Sequence, residues 1–269
     1  MTFWKIVLSY DGTGYHGWQV QPGRPTVQGT LAAAIEKMTG ERVMPQGSGR
    51  TDAGVHALGQ VASFALEGSI PVENLGRALN QCLPQSIRVM QVEEVGPEFH
   101  ARHSAVRKSY EYRIFERKLE GLDEEDICPP FVAPFVWDCR WALNVDEMKR
   151  AAAMLCGVHD FSSFQASDPD VTQRELGVAG PNPVKTIFAS EMERREGLLL
   201  YRVTGSGFLH HMVRNIVGTL VEVGRGALQA EDVARILAAK DRTAAGPTAP
   251  AQGLFLVGVS YDRGKPVRL

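Results

Sequence analysis

The residues best placed to do chemistry lie in the stretch Gly47-Ser48-Gly49-Arg50-Thr51-Asp52-Ala53-Gly54-Val55-His56. Its glycines permit tight or left-handed backbone and close approach of another chain, while a cation and a carboxylate stand between them. Such a loop either presents Asp52 to something fitted against it or closes an Arg50–Asp52 ion pair in a surface turn. A second charged group sits in Phe208-Leu209-His210-His211-Met212-Val213-Arg214-Asn215-Ile216-Val217-Gly218. Leu209, Met212, Val213, Ile216, Leu220 and Val223 form the apolar face of a helix there, with His210, Arg214 and Gly218 at i, i+4 and i+8 on another face. An arginine on so apolar a helix requires a carboxylate or phosphate partner. The adjacent histidines are a weak metal signal, because neighbouring helical positions diverge by about 100°. A third stretch interleaves cations with aromatics: Arg102, Arg107, Lys108, Tyr110, Tyr112, Arg113 and Phe115. It reads as a nucleic-acid contact or as a solvated strand edge.

Gly12-Thr13-Gly14-Tyr15-His16-Gly17 satisfies GxGxxG and follows a strand, as a dinucleotide site requires. Two prolines between Trp18 and Pro25 keep a helix from opening at the third glycine, and Glu36 falls within a helix instead of ending a second parallel strand. The segment is a Gly-rich turn.

Several elements must position these groups. Trp4, Ile6, Leu8 and Tyr10 alternate as one face of a strand over 4–10. Thr26 caps a helix carrying Val27, Leu31, Ala34, Ile35 and Met38, stopped by Gly40. A short strand near 41–44, a strand over 60–66, a helix from Pro71 to about Gln81 and a strand over 87–95 follow, giving the β-α-β-β-α-β order of a ferredoxin-like unit. The order recurs: a strand over 106–115, a helix with Asn144 and Glu147 as capping box, strands over 184–192 and 198–204, a helix from Phe208 to about Val223, a small helix over 231–239 and a closing strand over 254–259. The expected fold is α+β, with two ferredoxin-like halves, 1–103 and 104–269, and a mixed, mainly antiparallel sheet.

Across 269 residues, 29 Lys and Arg face 31 Asp and Glu, a near-neutral balance that argues against a sequence-blind nucleic-acid binder. The total conceals local excess: residues 100–118 carry six basic and two acidic side chains, and 201–269 nine and five. A hydrophobic content of 44% excludes a disordered chain. Nothing near Met1 reads as an export signal, and no apolar run reaches the roughly 18 residues of a spanning helix, so a cytoplasmic protein is expected, with no membrane partner. Cys82, Cys128, Cys139 and Cys156 form no CxxC pair and are expected as reduced, mostly buried thiols.

Taken together, DGTGYHGWQVQ from Asp11, TVQG from Thr26, GRTDAGVHALGQ from Gly49, KSYEY from Lys108, HDFSSF from His159, GFLHHMVRNIVG from Gly207 and GLFLVGV from Gly253 resemble the TruA family of tRNA pseudouridine synthases. The resemblance runs in order along nearly the whole chain. It implies that Asp52 is the catalytic aspartate, Tyr110 stacks on the target uracil and Arg214 pairs with Asp52. Arg50 would hold the target nucleotide out of its helix, Leu254 would pack the pocket from below, and His211 would touch phosphate or sugar. Arg107 and Lys108 join the expected RNA contacts. The family acts as a homodimer on the anticodon stem-loop, isomerising uridines at tRNA positions 38 to 40 in a cleft between its two halves, without metal or cofactor. Competing readings are a non-catalytic RNA-binding module on the same scaffold and a nucleotide-dependent oxidoreductase. Residues 166–183 are expected as a long variable loop, and the acidic run 120–126 is expected to face away from RNA.

Overall fold

The computed structural model describes residues 1–68, 70–117, 126–166 and 182–262. The expected loop over 166–183 and the acidic run over 120–126 fall outside these residues except at their ends. The chain forms two compact units, Met1–Ser109 with 255 onward, and Tyr110–Leu254.

In the first unit, β1 (Thr2–Tyr10) pairs antiparallel with β3 (His56–Leu66) and β4 (Ile87–Val95), and β2 (Gln46–Gly47) pairs antiparallel with β3. Strand β10 (Leu254–Ser260) joins β3 in parallel, Phe255 opposite His56. Helix α1 (Val27–Thr39) starts where the Thr26 side chain accepts from the Gly29 amide and stops at Gly40, φ 77°. It buries Val27, Leu31, Ala34 and Ile35, each large aliphatic contributing about 1.5–3 kcal/mol. Helix α2 (Val72–Cys82) packs on α1 and β4, while Trp4, Ile6, Leu8 and Tyr10 alternate inward along β1.

The expected strand over 41–44 is absent. Side chains hold that segment instead: Thr39 Oγ1 accepts from the Glu41 amide, and the Glu41 carboxylate accepts from the amides of Glu67 and Gly68. The short strand falls later, at 46–47.

In the second unit the strand order is β5 (Arg107–Glu116, entered from the first unit), β9 (Leu198–Gly205), β8 (Val184–Arg195) and β7 (Gly157–Asp160), with β6 (Trp137–Cys139) parallel on β5. β7, β8 and β9 pair antiparallel. Helix α3 (Val145–Ala153) begins where Asn144 Oδ1 accepts from the Glu147 amide at 3.1 Å, as expected for its N-terminus, and packs on β8 and on α4 (Met212–Gly224). Helix α5 (Asp232–Ala239) follows. Helix α4 begins four residues later than expected, because His211 adopts φ 58° and turns the chain. His210 therefore lies before the helix and does not share its face with Arg214 and Gly218.

Of the four cysteines, Cys139 is buried, Cys82 and Cys128 are half-buried and Cys156 is exposed, against the expectation of mostly buried thiols. No helix among the described residues is long and apolar enough to cross a membrane.

Candidate active site

The loop bearing Asp52 is built against the Gly-rich turn, backbone to backbone. A Cβ on Gly12 would stand 2.0 Å from the Val55 carbonyl oxygen, and one on Gly17 would stand 2.4 Å from that of Thr51. Gly17 also has φ 86°, a conformation that favours glycine. The Trp18 amide donates to the Thr51 carbonyl at 3.0 Å, and the Gly54 amide to that of Tyr15 at 3.2 Å. The Trp18 ring lies where a Cβ on Gly47 would be. The GxGxxG spacing thus serves contact with the Asp52 loop.

Beneath the loop lies a buried polar layer. Tyr10 Oη and Thr51 Oγ1 are 2.9 Å apart, Ser48 Oγ donates to Gln60 Oε1 at 2.7 Å, and Gln60 Nε2 donates to the Gly49 carbonyl at 2.9 Å. Lys108 Nζ donates to the Ser48 carbonyl at 2.5 Å. Burial pushes the Tyr10 phenol up to about 12, against the hydrogen bonds from Thr51 and Gln60, so it stays protonated at neutral pH. His56 stacks on Phe255 with centroids 4.7 Å apart, and its Nδ1 accepts from the Gly12 amide. Within this frame Thr51 is buried, whereas Arg50 is exposed and Asp52 half-exposed.

The rival carboxylates are engaged in local turns. Asp11 Oδ1 accepts from the Thr13 amide at 2.9 Å and hydroxyl at 2.6 Å, and Asp160 Oδ1 from the Ser162 amide at 3.0 Å and hydroxyl at 2.6 Å. For Asp11, desolvation raises the pKa, but the Thr13 bonds and His56 outweigh it and hold the carboxyl below its usual range.

In the second unit, Arg214 and the segment 246–250 are fastened reciprocally. Arg214 Nε donates to the Ala249 carbonyl at 2.8 Å, and the Ala249 amide to the Arg214 carbonyl at 3.1 Å. This approach depends on Gly218, where a Cβ would sit 1.7 Å from the Pro247 carbonyl oxygen. Buried Asn215 accepts from Arg242 and Thr248 and donates to the Phe164 carbonyl. Tyr112 Oη donates to the Pro250 carbonyl at 2.7 Å, and its ring fills the space over Gly253, so the segment leading to Leu254 is fixed at both ends. On β5, Tyr110 keeps 8% exposure while Tyr112 and Ile114 keep none; Tyr110 meets Phe208 edge-on at 5.0 Å. His210 and His211 lie ring against ring at 3.9 Å just before α4.

A family model described as tRNA pseudouridine synthase matches residues 6–104 and 151–262. The chain belongs to the tRNA pseudouridine synthase family. It is 48% identical over 257 residues to tRNA pseudouridine synthase A of Solibacter usitatus, covering 96% of this chain and 98% of that protein. It is 45% identical over 256 residues to the protein of the same name from a Thermoanaerobacter species, covering 95% and 98%. A third relative, tRNA pseudouridine synthase A of Moorella thermoacetica, is 45% identical over 259 residues, covering 96% and 98%. The chain is thus an isomerase that converts uridine in tRNA to pseudouridine, and the alternative of a non-catalytic binding module has no support in these comparisons.

The family match contains Arg50, Asp52, His211, Arg214 and Leu254, and Arg107, Lys108 and Tyr110 lie outside it. Sequence reasoning missed the carbonyl of Ala249 as the anchor of Arg214, and Gln60 and Tyr10 as struts of the Asp52 loop. A signal existed for the first: Gly218 within a helix and Gly246 in a Pro-rich segment mark a close backbone crossing.

Proposed function

We propose that the chain isomerises uridines at positions 38 to 40 of the tRNA anticodon stem-loop, with Asp52 as its catalytic carboxylate. The observation that carries this reading is the build of the 50–52 loop. Buried Thr51 is tied to Tyr10 and Trp18, and Asp52 beside it keeps access to solvent on a loop whose backbone is fixed. Isomerisation breaks N1–C1′, turns the base and forms C5–C1′, with a proton lost from C5 and one gained at N1. One carboxylate suffices for this, as nucleophile at C1′ or C6 or as base toward the 2′ proton.

Arg214, its side chain aimed by Ala249, is the proposed ion-pair partner of Asp52. Arg50, exposed on the same loop, would hold the flipped nucleotide. Flipping costs a few kcal/mol, and stacking on Tyr110 returns about 1–3 kcal/mol of it. Leu254 would floor the uracil pocket, and Arg107 and His211 would meet phosphate or sugar. The first unit supports the ferredoxin-like reading through the run β4-β1-β3 with two helices, although β3 also takes β10 in parallel beside the two-residue β2. The enzyme is proposed to work as a homodimer without metal or cofactor.

The test is pseudouridine mapping on unmodified tRNA incubated with the wild-type chain and with Asp52→Asn. The wild type should modify uridines at 38 to 40, and the variant none. Normal modification by Asp52→Asn would overturn the assignment.

A further inference from the structure

The turn over 47–49 has glycines at two of its three positions, so its own backbone does little to fix the direction in which Arg50 and Asp52 leave it. Two side chains do so instead, each from below and each on a carbonyl. Gln60 Nε2 holds the Gly49 oxygen at 2.9 Å, and Lys108 Nζ holds the Ser48 oxygen at 2.5 Å. Gln60 is fully buried and is itself oriented by the buried Ser48 hydroxyl at 2.7 Å. Gly49 completes the fit, since a Cβ there would lie 3.1 Å from Lys108 Nζ. Consecutive carbonyls clamped by an amide and an ammonium leave the two peptides after Ser48 little freedom to rotate. A charge-assisted bond to a carbonyl is among the stronger side-chain-to-backbone contacts.

We propose that Lys108 is a positioning residue for the Asp52 loop, acting through the Ser48 carbonyl, and that it does not serve as the RNA-phosphate contact its basic neighbourhood suggests. The proposal rests on the reading of Asp52 as the catalytic carboxylate. It assigns the lysine to the rate of the chemical step, whereas a phosphate contact would belong to affinity.

The two roles separate by experiment on the full chain. Lys108→Met, Lys108→Arg and Asp52→Asn are compared in single-turnover reactions with enzyme in excess over an unmodified tRNA transcript. Binding of the same transcript is measured from low to moderate KCl, and circular dichroism confirms the folded fraction. A misplacement on the order of 1 Å costs about 10²-fold in rate, so Lys108→Met should lose about that factor. Its tRNA affinity and its slope of log affinity against log salt should stay at wild-type values. Lys108→Arg, which still donates, should recover most of the rate.

A wild-type rate for Lys108→Met, with weaker binding and a slope shallower by about 0.7–0.9, would make Lys108 a phosphate contact and overturn the proposal. An Arg variant no faster than the Met variant would overturn it too. If Asp52→Asn keeps its rate, the underlying reading fails and the proposal with it. If Asp52→Asn is inactive and Lys108→Met is fully active, the proposal alone fails. Should Lys108→Met not fold, Gly49→Ala presses a methyl toward Nζ and should slow the reaction severalfold at unchanged affinity; an unchanged rate would overturn the proposal.

Discussion

Gly218→Ala sets two ordinary effects against each other, and their sizes decide the sign. Gly218 lies inside α4, where alanine is favoured over glycine by about 1 kcal/mol, so propensity alone predicts a more stable protein. The added methyl, however, would stand 1.7 Å from the Pro247 carbonyl oxygen, and both groups are fixed to backbone. The segment over 246–250 must retreat by more than an ångström. That movement strains the bonds from the Gly246 amide to Thr219 Oγ1 at 2.9 Å, from Arg214 Nε to Ala249 at 2.8 Å and from Tyr112 to Pro250 at 2.7 Å. At about 0.5–1.5 kcal/mol for each bond lost, and about 1–3 kcal/mol for overpacking if the bonds instead survive, the penalty is about 2–4 kcal/mol. Net of propensity, the variant should lose about 1–3 kcal/mol, a fall in melting temperature of about 2–6 °C for a chain of this size. Single-turnover pseudouridine formation should slow by about 10²-fold, because the side chain of Arg214 loses its anchor. A variant as stable as the wild type and equally fast would refute the claim that this crossing aims Arg214.

Acid should expose a second feature of the same unit. Desolvation raises the pKa of Glu111, but the hydrogen bonds and charges of Arg113 and Arg202 outweigh it and hold the folded value below the ordinary 4.5. Its stabilisation is therefore complete above the unfolded value and lost as pH falls through the folded one. Urea midpoints taken from pH 6 down to pH 3 should fall more steeply for the wild type than for Glu111→Gln; parallel curves would contradict this. Affinity for tRNA should also decline linearly on a log–log plot as salt rises, since Arg and Lys displace counterions from phosphate, and salt-insensitive binding would count against an electrostatic RNA surface.

Elements whose signals are local could be read directly. Thr26 and Gly40 bracket α1, the strand expected over 87–95 is β4, and Asn144 with Glu147 marks the start of α3. Errors arose where a non-local bond or a single dihedral decided the matter. Phe208 to His211 has helical composition, yet one left-handed residue delays the helix to Met212. The segment 41–44 has strand composition, yet its Glu41 caps the amides of Glu67 and Gly68 from 26 and 27 residues away. The site divides in the same way. Residue types and spacing single out Arg50, Asp52 and Arg214, whereas what aims them is backbone carbonyls, at Thr51, Ser48, Gly49 and Ala249, which leave little trace in residue type.

The parallel pairing of β10 with β3 has a consequence in time. Phe255 stacks on His56, and the Val257 carbonyl oxygen packs where a side chain at Gly59 would be, so the strand that leaves the Asp52 loop is finished by residues made some two hundred positions later. At about 5–20 residues per second, a ribosome needs roughly 7–30 s between completing Ser109 and delivering Phe255. During that interval the first unit lacks a strand, and the loop that carries Asp52 lacks part of its support. Order of synthesis thus leaves the strand that follows the Asp52 loop without its parallel neighbour until the C-terminal segment has been made.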